Sequence, residues 1–84
     1  MSLDYHYVIE RSVAEYVVAL PRARARQLMA FFEYLARNPM LVGGEWRVDA
    51  DGRRHEALLF GLVTLVFWTD HAVREVRIVE VIED

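Results

Sequence analysis

The segment Leu62–Trp68 constrains the fold most, because apolar side chains occupy both faces of a strand there. Successive side chains of a strand point to opposite faces of its sheet. Two alternating apolar sets result, interrupted only by Thr64: Leu62, Val66 and Trp68 on one face, and Val63, Leu65 and Phe67 on the other. Such a strand is favoured where both faces of the sheet are buried. We therefore expect a central strand that is covered on both sides.

The N-terminal segment predicts a strand followed by a helix. Alternating side chains indicate a strand over about 4–10. Ser12 stands three residues before Glu15, which is the spacing of a capping box. In that motif the hydroxyl and the carboxylate accept hydrogen bonds from free N–H groups at the helix start. A first helix is therefore expected over about 12–20.

A second helix is expected over about 22–37. Pro21 fits the first turn of a helix but not its interior, so Leu20-Pro21 predicts a junction between two helices. An apolar stripe then has the three- and four-residue spacing of one helix face: Ala25, Leu28, Met29, Phe32, Leu35 and Ala36. Asn38-Pro39 and Gly43-Gly44 predict the helix end and a loop.

The rest of the chain predicts a meander of antiparallel strands. Asp51-Gly52 is typical of a two-residue hairpin turn, and Gly61 permits a second reversal. The expected strands cover about 46–49, 53–60, 62–69 and 74–82. We predict an α+β fold in which residues 1–84 form a single domain. It comprises an N-terminal strand, two helices and an antiparallel β-meander packed on the helices.

Two short helices cover only one face of such a sheet, so the second apolar face of the central strand needs another cover. One interpretation is a partner chain, either another protein or a second copy, that contacts Leu62, Val66 and Trp68. The alternative is a curved sheet that closes over a small second core. The last strand is acidic and could also accept an added strand at its edge.

Composition excludes several classes of protein. The chain has no cysteine, so disulfides, thiolate zinc sites and cysteine nucleophiles are absent. The three histidines fit no metal-ligand spacing, and no glycine-rich phosphate loop or Ser/His/Asp triad is present. We expect no metal and no cofactor. No apolar run could span a membrane and no export signal precedes the first strand, which predicts a cytoplasmic protein without membrane contact.

All ten basic residues are arginine, and the formal net charge is −3. Seven of the arginines lie in residues 21–54 beside four acids, so positive charge is concentrated in the middle of the chain. Arginine suits bidentate contacts with phosphate or carboxylate, although a genomic preference for arginine is the plainer explanation.

The predicted hairpin and the last turn carry a ribbon of cations: Arg47, Arg53, Arg54, His55, His71, Arg74 and Arg77. RNA is cleaved without metal when its 2′-OH loses a proton, cations stabilise the phosphorane and the leaving oxygen gains a proton. Strand alternation puts Arg53 and His55 on one face and Arg54 and Glu56 on the other, so these four cannot form one site. Arg53, His55 and Arg77 are the catalytic candidates. Arg47, Arg54, Arg74 and His71 are candidates for binding RNA or the ribosome, and the alternative is a solvated surface.

Over essentially its whole length the sequence resembles the RelE/ParE superfamily of toxins. The resemblance rests on short matches in order: Leu20-Pro21, Leu35-Ala36-Arg37-Asn38-Pro39, Asp51-Gly52-Arg53, Gly61 followed by Leu65-Val66-Phe67-Trp68 and Asp70, and Glu75-Val76-Arg77-Ile78. It implies a microbial-ribonuclease-like sheet packed by helices. It also implies a cognate antitoxin that neutralises the toxin by wrapping it.

The resemblance leaves three functions open. Members similar to RelE cut mRNA in the ribosomal A site, which implies a growth-inhibiting mRNA endoribonuclease of a plasmid-stabilising toxin–antitoxin system. Members similar to ParE poison DNA gyrase, which implies a non-enzymatic toxin. The third function is a non-toxic interaction protein that retains the fold. The expected partners are the antitoxin, the ribosome with mRNA, DNA gyrase or a second copy of the chain.

Overall fold

Five strands and two helices make up the regular structure of the residues that the computed structural model describes, 4–41 and 43–83. They are, in chain order, β1 (His6–Ile9), α1 (Arg11–Ala19), α2 (Arg22–Arg37), β2 (Glu45–Val48), β3 (Arg54–Phe60), β4 (Val63–Asp70) and β5 (Glu75–Glu83). No helix within these ranges is long and apolar enough to cross a membrane.

The strands form one sheet in the order β1-β5-β4-β3-β2. Strands β2 to β5 form an antiparallel meander, and β1 pairs with β5 in parallel. Strand β4 therefore lies at the centre of the sheet, as its apolar pattern predicts. The architecture is the α+β fold expected from the sequence.

Both helices pack on the same face of the sheet and enclose the core. The apolar stripe of α2 faces inward, where Leu28 and Phe32 are buried. From β4 the set Val63, Leu65 and Phe67 joins the same cluster. Burial of these side chains is the main force that holds the helices on the sheet. The opposite face of the sheet carries no helix.

The predicted capping box is wrong. Helix α1 begins at Arg11, so Ser12 lies inside it, and Glu10 is the N-cap residue without a side-chain cap hydrogen bond. The backbone N–H of Glu10 donates to the carbonyl of Ile78 at 3.0 Å. Pairing with β5 therefore continues to residue 10, and the helix starts directly after it. The junction at Leu20-Pro21 is confirmed, since Leu20 caps α1 and Pro21 precedes α2.

The hairpin between β2 and β3 is one residue longer than expected. The N–H of Asp49 donates to the carbonyl of Arg53 at 2.9 Å, which leaves a three-residue loop instead of a two-residue turn. Gly52 has φ +79°, the left-handed conformation that ends such loops with a G1 bulge. As a result Arg47 lies opposite His55.

A second irregularity lies between β4 and β5, where the register shifts by one residue between Val66 and Phe67. Before the shift Val66 lies opposite Glu80, and after it Trp68 lies opposite Arg77. An unshifted continuation would place an apolar residue beside Trp68 instead. Because opposite residues of a strand pair share a face, the shift puts Arg77 on the face of Trp68.

Candidate functional site

The face of the sheet without helices gathers four of the sequence-predicted cations. Arg47 and His55 lie opposite each other on β2 and β3. Arg53 precedes β3 and reaches over Trp68 of β4, and Arg77 lies opposite Trp68 on β5. The three catalytic candidates and one binding candidate therefore share one surface, although three different strands and a loop supply them.

Trp68 is the centre of this surface. The guanidinium carbon of Arg53 lies 4.0 Å from the ring centroid, and that of Arg77 lies 5.8 Å from it. The negative face of an indole ring attracts cations, so the ring can hold two like charges near each other. The side chain of Trp68 is half-buried under these contacts.

The two arginines beside Trp68 differ in how they are held. Arg77 donates to Glu75 at 2.9 Å and lies 3.9 Å from Glu10. Arg53 forms no salt bridge with any residue of 4–41 and 43–83, and its guanidinium contacts the ring of Trp68. The charge of Arg53 is therefore available to an anionic ligand, whereas that of Arg77 is partly balanced.

His55 is held by Asp49. Its Nε2 lies 3.2 Å from a carboxylate oxygen of Asp49, which is ion-pair distance, but the geometry is not that of a hydrogen bond. Nε2 is buried, and the His55 side chain as a whole is 21% exposed. A carboxylate behind an imidazole fixes its orientation, as in proton-transfer sites.

Asp49 also organises the hairpin loop. Its Oδ1 accepts the backbone N–H groups of Arg53 and Asp51, each at 2.9 Å. The hydrogen bond from Arg53 lowers the pKa of the Asp49 carboxyl, and the bond from Asp51 and the charges of His55 and Arg53 lower it further, against partial burial that raises it. The sequence interpretation missed Asp49, although its place two residues before Asp51-Gly52 is typical of a turn-capping aspartate.

The sequence interpretation also missed Glu75 and Glu10, the partners of Arg77. Glu75 could have been found, because residues two apart on a strand share a face and Glu75 precedes Arg77 by two. Glu10 follows β1 and reaches Arg77 only because β1 pairs with β5. No local pattern connects residues so distant in the chain.

Three predicted binding residues have other partners, although two of them, Arg54 and His71, line one cavity with Trp68. Arg54 lies on the helix side of the sheet, where it donates to Glu56 at 2.8 Å and stacks over Trp46. His71 lies in the turn after β4, where its Nδ1 forms a 2.7 Å hydrogen bond with the hydroxyl of Tyr5. Arg74 ends that turn with φ 56° and carries its own contacts.

The structure does not place Leu62, Val66 and Trp68 on one face, and their contact with a partner stays a prediction. Leu62 precedes β4 in a turn, is 75% exposed and lies beside Leu20 and Leu28 on the helix side. Val66 does lie on the helix-free face, but it is only 5% exposed. Trp68 lies under Arg53. The strand starts one residue later than expected, so the alternation does not extend to Leu62.

No group of three or more histidine and acidic side chains in the described ranges could hold a metal ion. What the surface offers is therefore arginine, imidazole and aromatic chemistry. Such a surface can bind phosphate, stabilise charge on a phosphorane and exchange protons with a hydroxyl.

Comparisons with known proteins identify the fold. No protein-family model and no curated protein match the chain. Among solved structures, a chain of the toxin–antitoxin complex RelBE2 from Mycobacterium tuberculosis is similar with a TM-score of 0.73 and 21% identity, over 96% of this chain and 99% of that chain. A chain of the archaeal RelE–RelB complex from Pyrococcus horikoshii is similar with a TM-score of 0.76 and 14% identity, over 95% and 94%. The expected RelE-like fold is confirmed.

Proposed function

We propose that this chain, which has the fold found in RelE toxin–antitoxin complexes, is the toxin of a type II toxin–antitoxin pair and cleaves mRNA on the ribosome without a metal ion. The convergence of Arg53, His55 and Arg77 on one helix-free face carries the proposal. Arg53 and His55 share a face because they are two residues apart on one strand, and Arg77, which is distant in the sequence, joins them through the pairing of β4 with β5.

The residues supply the groups that metal-free RNA cleavage needs. The 2′-oxygen attacks the phosphorus, the bond to the 5′-oxygen breaks, and a proton leaves the 2′-OH while another reaches the 5′-oxygen. Arg53 and Arg77 can stabilise the phosphorane, because guanidinium groups bind its oxygens in pairs. His55, oriented by Asp49, is the candidate for proton exchange. The side chain of Arg47 forms no hydrogen bond or ion pair within the described ranges and can bind a flanking phosphate.

The proposed partners are a cognate antitoxin and the ribosome with its mRNA. Both similar structures are complexes of a toxin with its antitoxin, which supports the first partner. The ribosome with its mRNA is proposed because Arg53, Arg77 and Arg47 form a cationic face, although the chain as a whole has a net charge of −3. RNA affinity depends on neutralising phosphates, and the arginines of this face are the groups that can do so.

Inducible expression in a bacterial host tests the proposal. Growth and mRNA integrity are compared for the wild type, for the double variant Arg53→Ala/Arg77→Ala and for a matched double variant Arg22→Ala/Arg26→Ala. Arg22 and Arg26 are exposed on α2, away from the candidate site. We expect growth arrest with mRNA cut within codons, lost in the first double variant and retained in the second.

Other outcomes point to other functions. Growth arrest with intact mRNA would contradict the nuclease and indicate a protein target, for which DNA gyrase supercoiling is the first assay. Normal growth on expression of a folded protein would contradict toxicity and indicate an interaction protein. Rescue of growth by a gene adjacent to this one would support the antitoxin partner.

A further inference from the structure

Trp68 has an environment that neither catalysis nor packing explains. It lies on the central strand, on the face without helices, and a large aromatic ring there contributes nothing to the core between sheet and helices. Its ring is covered by the guanidinium of Arg53 at 4.0 Å, and Arg77 lies 5.8 Å from the same ring. Arginine and aromatic planes on an open sheet are the surfaces on which proteins stack unpaired bases.

The guanidinium of Arg53, which lies over the ring of Trp68, is free to move. Arg53 forms no salt bridge with residues of 4–41 and 43–83, so its guanidinium can leave the ring without breaking an ion pair. The guanidinium of Arg77 cannot leave as easily, because Glu75 and Glu10 hold it. A ligand that offers Arg53 a phosphate replaces a cation–π contact by a charge-assisted hydrogen bond, which is the stronger interaction.

Further cations lie on the same face of the sheet as the ring. Arg77 lies opposite Trp68 on β5, and His55 and Arg47 continue the surface across β3 and β2. A strand of RNA that crosses these strands would place one base over the ring and its flanking phosphates beside Arg53 and Arg77.

We propose that Trp68 is a base-stacking platform for single-stranded RNA. An unpaired base takes the place that Arg53 occupies in the free protein, and Arg53 moves to the adjacent phosphate. The inference rests on the proposed function, since both use the same face. It adds a substrate specificity, because the site binds an unpaired nucleotide and excludes a duplex. In a duplex both faces of each base are already stacked.

Charge favours RNA over a protein segment as the occupant. The guanidinium groups of Arg53 and Arg77 lie over the ring, and Arg77 is balanced by Glu75 and Glu10 whereas Arg53 has no carboxylate at ion-pair distance in the described ranges. An apolar side chain of a partner would leave Arg53 without an anion, whereas the backbone of an RNA strand supplies a phosphate to it.

Tryptophan fluorescence tests the platform directly. The chain has two tryptophans, so the variant Trp46→Phe leaves Trp68 as the single reporter. The folded variant is titrated, in EDTA, with a single-stranded hexanucleotide carrying 2′-O-methyl groups, which cannot be cleaved by 2′-OH attack. Two controls are used: the same strand with abasic positions, which has the same backbone charge, and the same strand paired in a duplex, which has more.

We expect saturable quenching of Trp68 by the single strand, and no quenching by the abasic strand or the duplex. Binding of a labelled single strand should weaken on the order of tenfold in Trp68→Leu, the usual loss when one stacking aromatic is removed, and much less in Trp68→Phe. Trp46→Leu, which removes the other arginine-covered tryptophan, should bind as the wild type does.

Several results would overturn the inference. Equal binding of the abasic and normal strands without quenching would mean that only phosphates are contacted. Quenching by a co-purified antitoxin but not by RNA would assign Trp68 to a protein interface. The abasic comparison uses the native residue at position 68, so it decides the question even if Trp68→Leu does not fold.

The result is independent of the test of toxicity. Growth arrest with mRNA cleavage but no base stacking on Trp68 would support the proposed function and contradict the base-stacking platform. Base stacking on Trp68 with normal growth would support the platform and contradict the proposed function.

Discussion

Two arginines that are neighbours in the chain stack over two tryptophans on opposite faces of the sheet. Arg53 lies 4.0 Å over Trp68 on the face without helices, and Arg54 lies 4.6 Å over Trp46 on the helix side. The two pairs have the same chemistry and differ only in their surroundings. Comparing the two pairs therefore shows what the arginine–tryptophan contact does by itself and what the neighbouring side chains add.

The surroundings of Arg54 show that its contacts stabilise the fold. Its Nε donates at 2.8 Å to Glu56, which is 8% exposed and also accepts the N–H of Gly43 at 3.3 Å. Arg54 therefore balances a buried carboxylate that also holds the loop before β2. Arg53 balances no carboxylate at ion-pair distance. An arginine engaged by a buried acid stabilises the fold, and an arginine engaged only by a ring can serve a ligand.

The largest expected effect is on activity at the open face. Replacing Arg53 by Ala should lower mRNA cleavage by about 10²–10³-fold, the usual loss when one group that stabilises transition-state charge is removed. Its free energy of unfolding should stay within about 0.5 kcal/mol of the wild type, as for surface substitutions generally. Cleavage of mRNA on purified ribosomes and urea unfolding measure the two quantities. Cleavage by the variant at the wild-type rate would show that Arg53 does not take part in the reaction.

The matching change at Arg54 should affect stability instead. Arg54→Ala leaves Glu56 without its cation, and an unpaired buried charged group is costly. Because the side chain of Arg54 is 53% exposed, the cost should be in the lower part of that range, about 1–2 kcal/mol. Urea unfolding checks it, with cleavage per folded molecule unchanged.

A second substitution sharpens this test. Adding Glu56→Gln to Arg54→Ala removes the buried charge and keeps an acceptor for Gly43, so it should restore part of the lost stability. A double variant that is less stable than Arg54→Ala would mean that the charge of Glu56 itself stabilises the loop.

The hairpin that presents Arg53 should respond to acid through Asp49. The folded-state pKa of Asp49 is lowered, so its ionised form contributes stability above the unfolded value of about 3.9. That contribution is lost as pH falls through the folded pKa. Asp49→Asn keeps an oxygen acceptor without the charge, so its unfolding free energy should fall less between neutral pH and strongly acidic pH.

Asp51→Asn is the control for this prediction, because the Asp51 side chain accepts no hydrogen bond in the described part of the chain. Its acid dependence should match the wild type. If Asp49→Asn and the wild type lose stability in parallel over the acid range, the hydrogen bonds to Asp49 do not act as inferred.

The smallest expected effect is at Trp46. Trp46→Leu removes a cation–π contact from an arginine that Glu56 still holds, so the loss should be at most about 1 kcal/mol, with unchanged cleavage. Urea unfolding and the ribosome assay measure both. A loss of cleavage in Trp46→Leu as large as in Trp68→Leu would erase the difference between the two faces.

The secondary structure followed from local patterns in the sequence. The alternation after Gly61 identifies the central strand, and the stripe of α2 predicts its bounds of 22–37. The spacing of apolar residues and the residue types that form turns depend on only a few neighbouring residues. They can therefore be recognised in the sequence before the fold is known. For the same reason the sequence correctly separates Arg53 and His55 from Arg54 and Glu56, since neighbours on one strand alternate. The predicted cap at Ser12 failed because pairing of residue 10 with β5 overrides it.

Only the tertiary structure decided which strands' residues meet at the candidate site. The three-residue loop places Arg47 opposite His55, and the register shift after Val66 places Arg77 opposite Trp68. One residue fewer in either place would turn the partner side chain to the other face. Register between strands depends on loop geometry and on packing across the whole sheet. The sequence by itself therefore determined the elements and the faces within each strand, and the fold determined the site.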